Sequence, residues 1–467
     1  MSNLSQSDKP TMPKHVSWCW LLSQFLSSFG VMLPLTVLVF FITEYTGVSP
    51  VLMATVYTVA RFADLGVSLF SGPIVQRMRR VRPLLLVIPI ISGGGSIISF
   101  SNPNVSLGAK LVILIIGYCC IHFPMNFSTV VTNTIMMKMA GANPANRVSI
   151  TQAIMRGMNA GPIVVAAMTI PAVMFLEGRG LPGYFLVSIL YFIIWMLGNI
   201  VLYVVSAPYE PKDAPAPLAS VQRVTMAQMY TAAVSNKLIM ALFISISLSM
   251  IAWQVFGTGV MYYFQYSIGN LMWQATAGTI GGFATLGFAI ICPMFARRIG
   301  KKNSFIFQYV WLSLCYLFMM FFADGNVWVY IIIFGIVGLG NSMAMTWGVI
   351  LWLDAAEIQL HEKGVDNRPF VMAVSNIPIK IGFIASGPVV AFLLNNSGYQ
   401  VDSAGVGSLA STQMFMYVWL GIVVALYILA GIIFFFGYNT SEQYAAECAA
   451  ANAAADEERA AAAAAAN

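Results

Sequence analysis

The sequence predicts an all-α membrane protein whose twelve transmembrane helices form two six-helix bundles. Three observations predict it. Of 467 residues, 59% are hydrophobic and 9% charged, whereas a soluble globular domain carries roughly 25% charged residues. So little charge cannot cover a surface that faces water. The apolar residues also fall into twelve long runs, at about 17–42, 50–74, 83–101, 109–136, 149–176, 183–206, 236–266, 271–296, 303–323, 327–353, 370–395 and 412–437. A helix needs about 20 apolar residues to cross roughly 30 Å of hydrocarbon. Only helices and closed barrels satisfy their backbone polar groups in lipid, and uniformly apolar runs lack the alternation of barrel strands. Finally, a connection beginning APYEPKDAPAPLAS divides the runs six and six. Its prolines make it an extended linker, and a chain halved in this way suggests two equivalent bundles around a central site.

In chain order, residues 1–16 are a polar N-terminal segment, 17–206 the first bundle, 207–235 the linker, 236–437 the second bundle and 438–467 an Ala-rich tail. The first apolar run is longer than the core of a signal peptide and is expected to be the first span. The tail, ending AAECAAANAAADEERAAAAAAAN, is expected to be a solvated helix or disordered. The loops orient the bundles. Fifteen lysines and arginines lie in the even-numbered connections and only Lys110 and Arg179 in the odd-numbered ones. This bias places both termini in the cytoplasm of a cell in whose cytoplasmic (inner) membrane the protein sits.

The net charge of +6 is therefore topological, and no nucleic-acid partner is expected. The six cysteines have no spaced framework, and no His/Cys cluster suggests a metal. No nucleophile–base set or cofactor motif is visible, so the expectation is a transporter rather than an enzyme, without a cofactor. Its expected partners are the lipid bilayer and a small-molecule substrate, and it is expected to work as a monomer.

Charges inside the spans carry the functional argument, because each costs at least about 2.5–3.5 kcal/mol to insert at mid-bilayer. Arg61 and Asp64 in the second span are three residues apart and share a helix face, with Ser68 one turn further on. They suit an ion-coupling pair, since solvation and partners set whether a carboxylate holds a proton. The alternative is a purely architectural ion pair. Arg156 in the fifth span and Lys380 in the eleventh add positive charge that an anionic substrate would neutralise, Arg as a fork and Lys as a point charge. His122, Asn126, Gln152, Gln24, Trp253, Gln254 and Tyr262 are candidate polar and aromatic substrate contacts. Arg77, Arg79, Arg80 and Arg82, with Asp354 and Glu357, are candidate cytoplasmic gate residues acting between the bundles.

Four stretches carry a resemblance to a known family: ARFADLGVSLFSGPIVQRMRRVRPLLL, YCCIHFPMNF, VMYYFQYSIGN, and LDAAEIQLHEKG followed by IPIKIGFIASGP. They resemble motifs of the glycoside–pentoside–hexuronide:cation symporters, the melibiose-permease-like family of the major facilitator superfamily. The resemblance implies the major facilitator fold and cation-coupled transport. It aligns Arg61 and Asp64 with the family's span-two arginine and first cation-site acid, and Lys380 with its span-eleven lysine. It also exposes departures. Ser68 stands where the family has a second cation-site carboxylate, Val67 where it has an amide, and His122 and Asn126 where it has a sugar-binding Asp and Trp. Span one offers only Gln24, Ser27 and Ser28 in place of an acid.

One carboxylate rather than two favours a co-transported proton over Na⁺. The cationic, amide-rich remainder favours a hexuronide or other organic acid over a neutral galactoside. The expected function is thus proton-coupled symport of a small, glycoside-like, anionic solute by alternating access. The alternatives are a lipid or lysolipid transporter on the same fold, a Na⁺-coupled neutral sugar symporter, and a transport-dead sensor.

Overall fold

The computed structural model describes residues 13–78, 80–140, 144–210, 231, 234–364, 371, 374–401 and 407–465. Its helices are α1 (Lys14–Tyr45), α2 (Pro50–Arg77), α3 (Leu84–Ser99), α4 (Leu107–Ala140), α5 (Pro144–Glu177), α6 (Gly183–Val205), α7 (Lys237–Tyr262), α8 (Met272–Ile299), α9 (Lys301–Phe322), α10 (Val327–Lys363), α11 (Ile377–Asn396), α12 (Thr412–Gly437) and α13 (Glu442–Ala465). A two-residue antiparallel ladder pairs Gln400–Val401 with Gly407–Ser408.

Among the described residues, eleven helices are long and apolar enough to cross a membrane. The expected third span is shorter than its run. Helix α3 has 16 residues, about 24 Å at 1.5 Å per residue. Conversely, α10 continues to Lys363, well past the expected end at residue 353. Hydropathy marks where a run leaves lipid, but the backbone ladder continues wherever side chains permit. It stops at Gly364, whose left-handed φ of 65° ends α10. Side-chain caps set several starts: Ser49 Oγ accepts from Leu52 N–H, and Asn236 Oδ1 from Leu238 N–H at 2.9 Å.

The chain divides into two compact units. One comprises Met1–Ala219, Asn270–Thr279 and Tyr399–Ser408, the other Ser220–Gly269, Ile280–Gly398 and Leu409–Asn467. Most of the 207–235 linker lies outside the described residues.

In the first unit, α1 packs on α5 and α6, α3 on α4 and α6, and α2 on α4. Small residues set these distances. A Cβ on Gly95 of α3 would stand 2.6 Å from the Gly117 carbonyl of α4, and one on Gly157 of α5 2.5 Å from the Leu21 carbonyl of α1. Only glycine permits such backbone approach. At the end holding the α2–α3 connection, Val16, Trp20, Val75, Val81, Leu85 and Ile135 form a buried core. Glu210, just after α6, is 3% exposed there. Its carboxylate accepts from the Val81 and Arg82 backbone N–H groups at 3.0 and 2.7 Å and pairs with Lys138.

The second unit is framed by aromatic rings. Here α7 packs on α11 and α12, and α9 on α10 and α12. Phe256 stacks on Trp419 with ring centroids 5.3 Å apart, and Trp419 Nε1 donates to the Val255 carbonyl at 3.1 Å. Helix α7 ends in a π-helical turn, Tyr263–Ser267. The Tyr263 hydroxyl donates to the Ala323 carbonyl at 2.7 Å, and Ser267 Oγ to Asp324 at 2.6 Å, fixing that wider turn on the α9–α10 connection.

The tail corrects an expectation. It is a helix, α13, but its first half is docked rather than solvated: Ala445 and Cys448 are buried against Ile358 of α10. Asn452 Nδ2 donates to the Glu357 carboxylate at 2.7 Å, and Glu442 accepts from the Lys302 backbone N–H at 3.1 Å.

Candidate functional site

The expected pair is present, inside the first unit. Asp64 is 0% exposed and Arg61 3%. Arg61 Nη1 lies 3.9 Å from Asp64 Oδ2, loose for an ion pair. The guanidinium is instead gripped from several sides. Its Nη2 donates to the Tyr57 hydroxyl at 3.0 Å, and its Cζ lies 5.0 Å from the ring centres of both Tyr57 and Tyr118. Cation–π contact of this kind strengthens when water is excluded. Tyr57 precedes Arg61 by one turn of α2, which places ring and charge on the same face. Tyr118, one turn before His122, brings the second ring from α4.

His122 and Asn126 complete the cluster. His122 Nδ1 is 3.3 Å from Arg61 Nη1. A guanidinium only donates, so Nδ1 must accept and the neutral imidazole carries its proton on Nε2. Asn126 Nδ2 donates to Asp64 Oδ1 at 2.6 Å. Both residues were expected as substrate contacts, and the structure sets both against the Arg61–Asp64 pair. Ser68 turns away: its hydroxyl donates to its own helix, to the Leu65 carbonyl at 2.7 Å. Sequence reasoning missed Tyr57 and Tyr118, although a one-turn spacing from Arg61 and from His122 was there to be read.

A second polar strip lies on α1 and α5. Arg156 and Gln152 are exposed one turn apart on α5. Half-buried Gln24 borders the same seam, since a Cβ on Gly157 would come within 2.9 Å of its own Cβ. In the second unit, Gln254 is buried and Trp253 half-buried on α7. Lys380 is half-buried on α11, two residues before Gly382, where a Cβ would stand 2.7 Å from the Met250 carbonyl of α7. Tyr262 is fully buried, its ring centroid 6.4 Å from that of Phe415.

The candidate gate residues find partners within their own units. Arg82 Nε donates to the Tyr203 carbonyl at 2.7 Å and its guanidinium covers the Tyr203 ring at 3.9 Å. Asp354 pairs with Lys301 at 2.6 Å and Glu357 with Asn452. Arg80 is half-buried. Arg79 and the Arg77 side chain lie outside the described residues. The loop acid that does organise this end of the first unit, Glu210, gave no sequence signal, because it lies in a proline-rich stretch beside Lys212 and Asp213, as an ordinary loop charge would.

Burial acts on Glu210 against ionisation, but Lys138 and the two backbone donors outweigh it and hold its carboxyl below the ordinary 4.5.

Among the described residues, eleven long apolar helices and a buried charge cluster mark a multi-pass membrane protein. The profile of the family described as MFS/sugar transport protein matches residues 27–442, and the chain belongs to that family, among the glycoside–pentoside–hexuronide:cation symporter-like proteins. It is 24% identical to the isoprimeverose transporter of Lactiplantibacillus pentosus over 89% of this chain and 87% of that one. It is 21% identical to the uncharacterized symporter YjmB of Bacillus subtilis (strain 168), over 87% and 88%. In structure it is similar to a bacterial homologue of the iron transporter ferroportin in an inward-facing state, at TM-score 0.66 and 12% identity, covering 91% of this chain and 99% of that one. The nucleoside transporter NupG gives a TM-score of 0.64 at 13% identity, covering 91% and 100%. These structural likenesses establish the fold.

Proposed function

We propose that this protein is a proton-coupled symporter for a small, glycoside-like, anionic solute, a hexuronide or organic acid. It works by alternating access as a monomer of twelve spans in the cytoplasmic membrane, with both termini in the cytoplasm. The observation that carries the reading is the fully buried Asp64 carboxylate, held on α2 between Arg61 and Asn126. A buried carboxylate beside a cation changes its proton affinity when water or a partner enters or leaves, which is what coupling to an access change requires.

The relatives named as symporters and as an isoprimeverose transporter support symport of a sugar-type cargo. The positive charge of Arg156, exposed on α5, and of Lys380 on α11 supports an acidic one. The isoprimeverose relative favours, as a second reading, a plain sugar rather than a sugar acid.

Proteoliposomes decide between them. Glucuronide uptake under an imposed inward proton gradient is expected, and Asp64→Asn abolishes it. Na⁺-driven uptake of neutral galactosides, with no response to glucuronides or pH, would sink the proposal.

A further inference from the structure

A helix that crosses lipid keeps a polar side chain inside only where something satisfies it. Helix α9 carries such a side chain in the run SFIFQYVWLSL: Gln308, followed by Tyr309. Both are enclosed in the second unit, Gln308 at 0% and Tyr309 at 1% exposure. The surroundings are aromatic or small. The rings of Phe305 and Phe434 lie with centroids 5.3 and 6.2 Å from that of Tyr309, and a Cβ on Gly431 of α12 would stand 3.1 Å from the Tyr309 Cβ. From α7 comes one polar neighbour, Ser245, also 0% exposed.

The Tyr309 hydroxyl lies within reach of Ser245 and Gln308. Yet among the described residues no hydrogen bond of normal geometry reaches that hydroxyl, Gln308 Nε2 or Gln308 Oε1. Turning the amide over changes nothing, since neither of its ends is bonded. Ser245 gives its own hydrogen to the Leu242 carbonyl at 3.2 Å and keeps lone pairs to accept with. Buried polar groups in folded proteins are paired, with protein or with ordered water. Nε2 calls for an acceptor and Oε1 for a donor, so a partner that serves the amide must do both. A cation serves Oε1 alone and an anion Nε2 alone. None of the three side chains carries a charge to compensate either ion in an apolar interior. A neutral molecule that both donates and accepts serves the two ends together, and water is the smallest.

We propose that Ser245, Gln308 and Tyr309 form an internal water-binding site between α7 and α9. The three side chains offer four polar atoms, Ser245 Oγ, Gln308 Oε1 and Nε2 and the Tyr309 hydroxyl, where a buried water makes about three bonds. The site stands apart from Arg61 and Asp64, which belong to the first unit, and is independent of the cargo and of the coupling ion.

Radiolytic footprinting tests it without a substrate. Short X-ray pulses split bound water into hydroxyl radicals, which add oxygen to the nearest side chains however deeply these are buried. Purified wild-type protein in detergent is pulsed, digested and read by mass spectrometry. Tyr191 and Tyr263 serve as references: they are 1% and 0% exposed, but their hydroxyls already meet Thr169 at 3.0 Å and the Ala323 carbonyl at 2.7 Å. Tyr309 is expected to take up oxygen several-fold faster than either. Gln308→Leu, similar in size, removes two of the four polar atoms, and labelling of Tyr309 is expected to fall to the level of the references. Wild-type Tyr309 labelled no faster than Tyr191 and Tyr263 overturns the proposal and marks the three side chains as bonded directly to one another. An unchanged rate in a folded Gln308→Leu protein overturns it as well. Should that variant fail to fold, Gln308→Met takes its place, and if neither folds the wild-type comparison decides alone.

Discussion

Glu210 offers a stability test that needs no knowledge of the substrate. Its carboxylate is 3% exposed and accepts two backbone N–H groups, from Val81 and Arg82, while pairing with Lys138. In Glu210→Gln one side-chain oxygen still accepts, but an NH₂ now faces the second backbone donor. The loss of one charge-assisted hydrogen bond is worth about 1.5–3 kcal/mol. The ion pair adds less than about 1 kcal/mol, because Lys138 is 34% exposed and solvent screens it. The expected cost is therefore about 3 kcal/mol, on the order of 6–12 °C in Tm for a unit of some 200 residues. Glu210→Ala, which leaves both donors unpaired, costs more.

The sign with pH follows from the depressed carboxyl. Its contribution is fully present above the ordinary 4.5 and is lost as pH falls through the lower folded value. Thermal unfolding of purified protein across acidic to neutral pH reads all three quantities. The gap between wild type and Glu210→Gln should be wide at neutral pH and narrow below 4.5. A gap that is absent at neutral pH, or that widens in acid, refutes the reasoning.

Arg61→Lys keeps the charge but loses the planar fork between two rings, and proteoliposome uptake is expected to fall at least about tenfold, by the loss of one buried charged contact worth more than about 1.4 kcal/mol. Unchanged uptake would show that the Tyr57–Tyr118 bracket is incidental. Gly95→Ala puts a methyl against the Gly117 carbonyl and should cost about 1–3 kcal/mol, seen as a lowered Tm; an unshifted midpoint would mean that the α3–α4 contact yields easily. Removing residues 441–467 uncovers Ile358, and hydrogen exchange across residues 354–363 should quicken. If it does not, the docking of α13 leaves the end of α10 unaffected.

The helices were largely legible because lipid imposes a long apolar run on each, and the Arg61–Asp64 pair because two charges three residues apart in such a run stand out. Partners across helices were not legible. A single sequence shows that His122 and Asn126 share a face of α4, but not that this face meets Asp64, so both were expected at a substrate. Tyr262 is a further case. The sequence shows an aromatic near polar neighbours, but not that its ring is buried with Phe415 at 6.4 Å. Alanine-rich composition hid the docking stripe of α13, although Ala445, Cys448 and Asn452, spaced three and four apart, already follow a helix face. Helix ends were missed where polarity ends a span without ending a helix, as in α10.

Glu210 has one more consequence, for the order in which the chain matures. It follows α6 by only a few residues, yet it closes the turn between α2 and α3, synthesised much earlier. The α1–α6 stretch thus carries its own closing clasp just after its last helix, available before α7 has been made. Chains truncated just after residue 210 and released from the ribosome should already resist protease at the α2–α3 turn, whereas chains ending before it should be cut there.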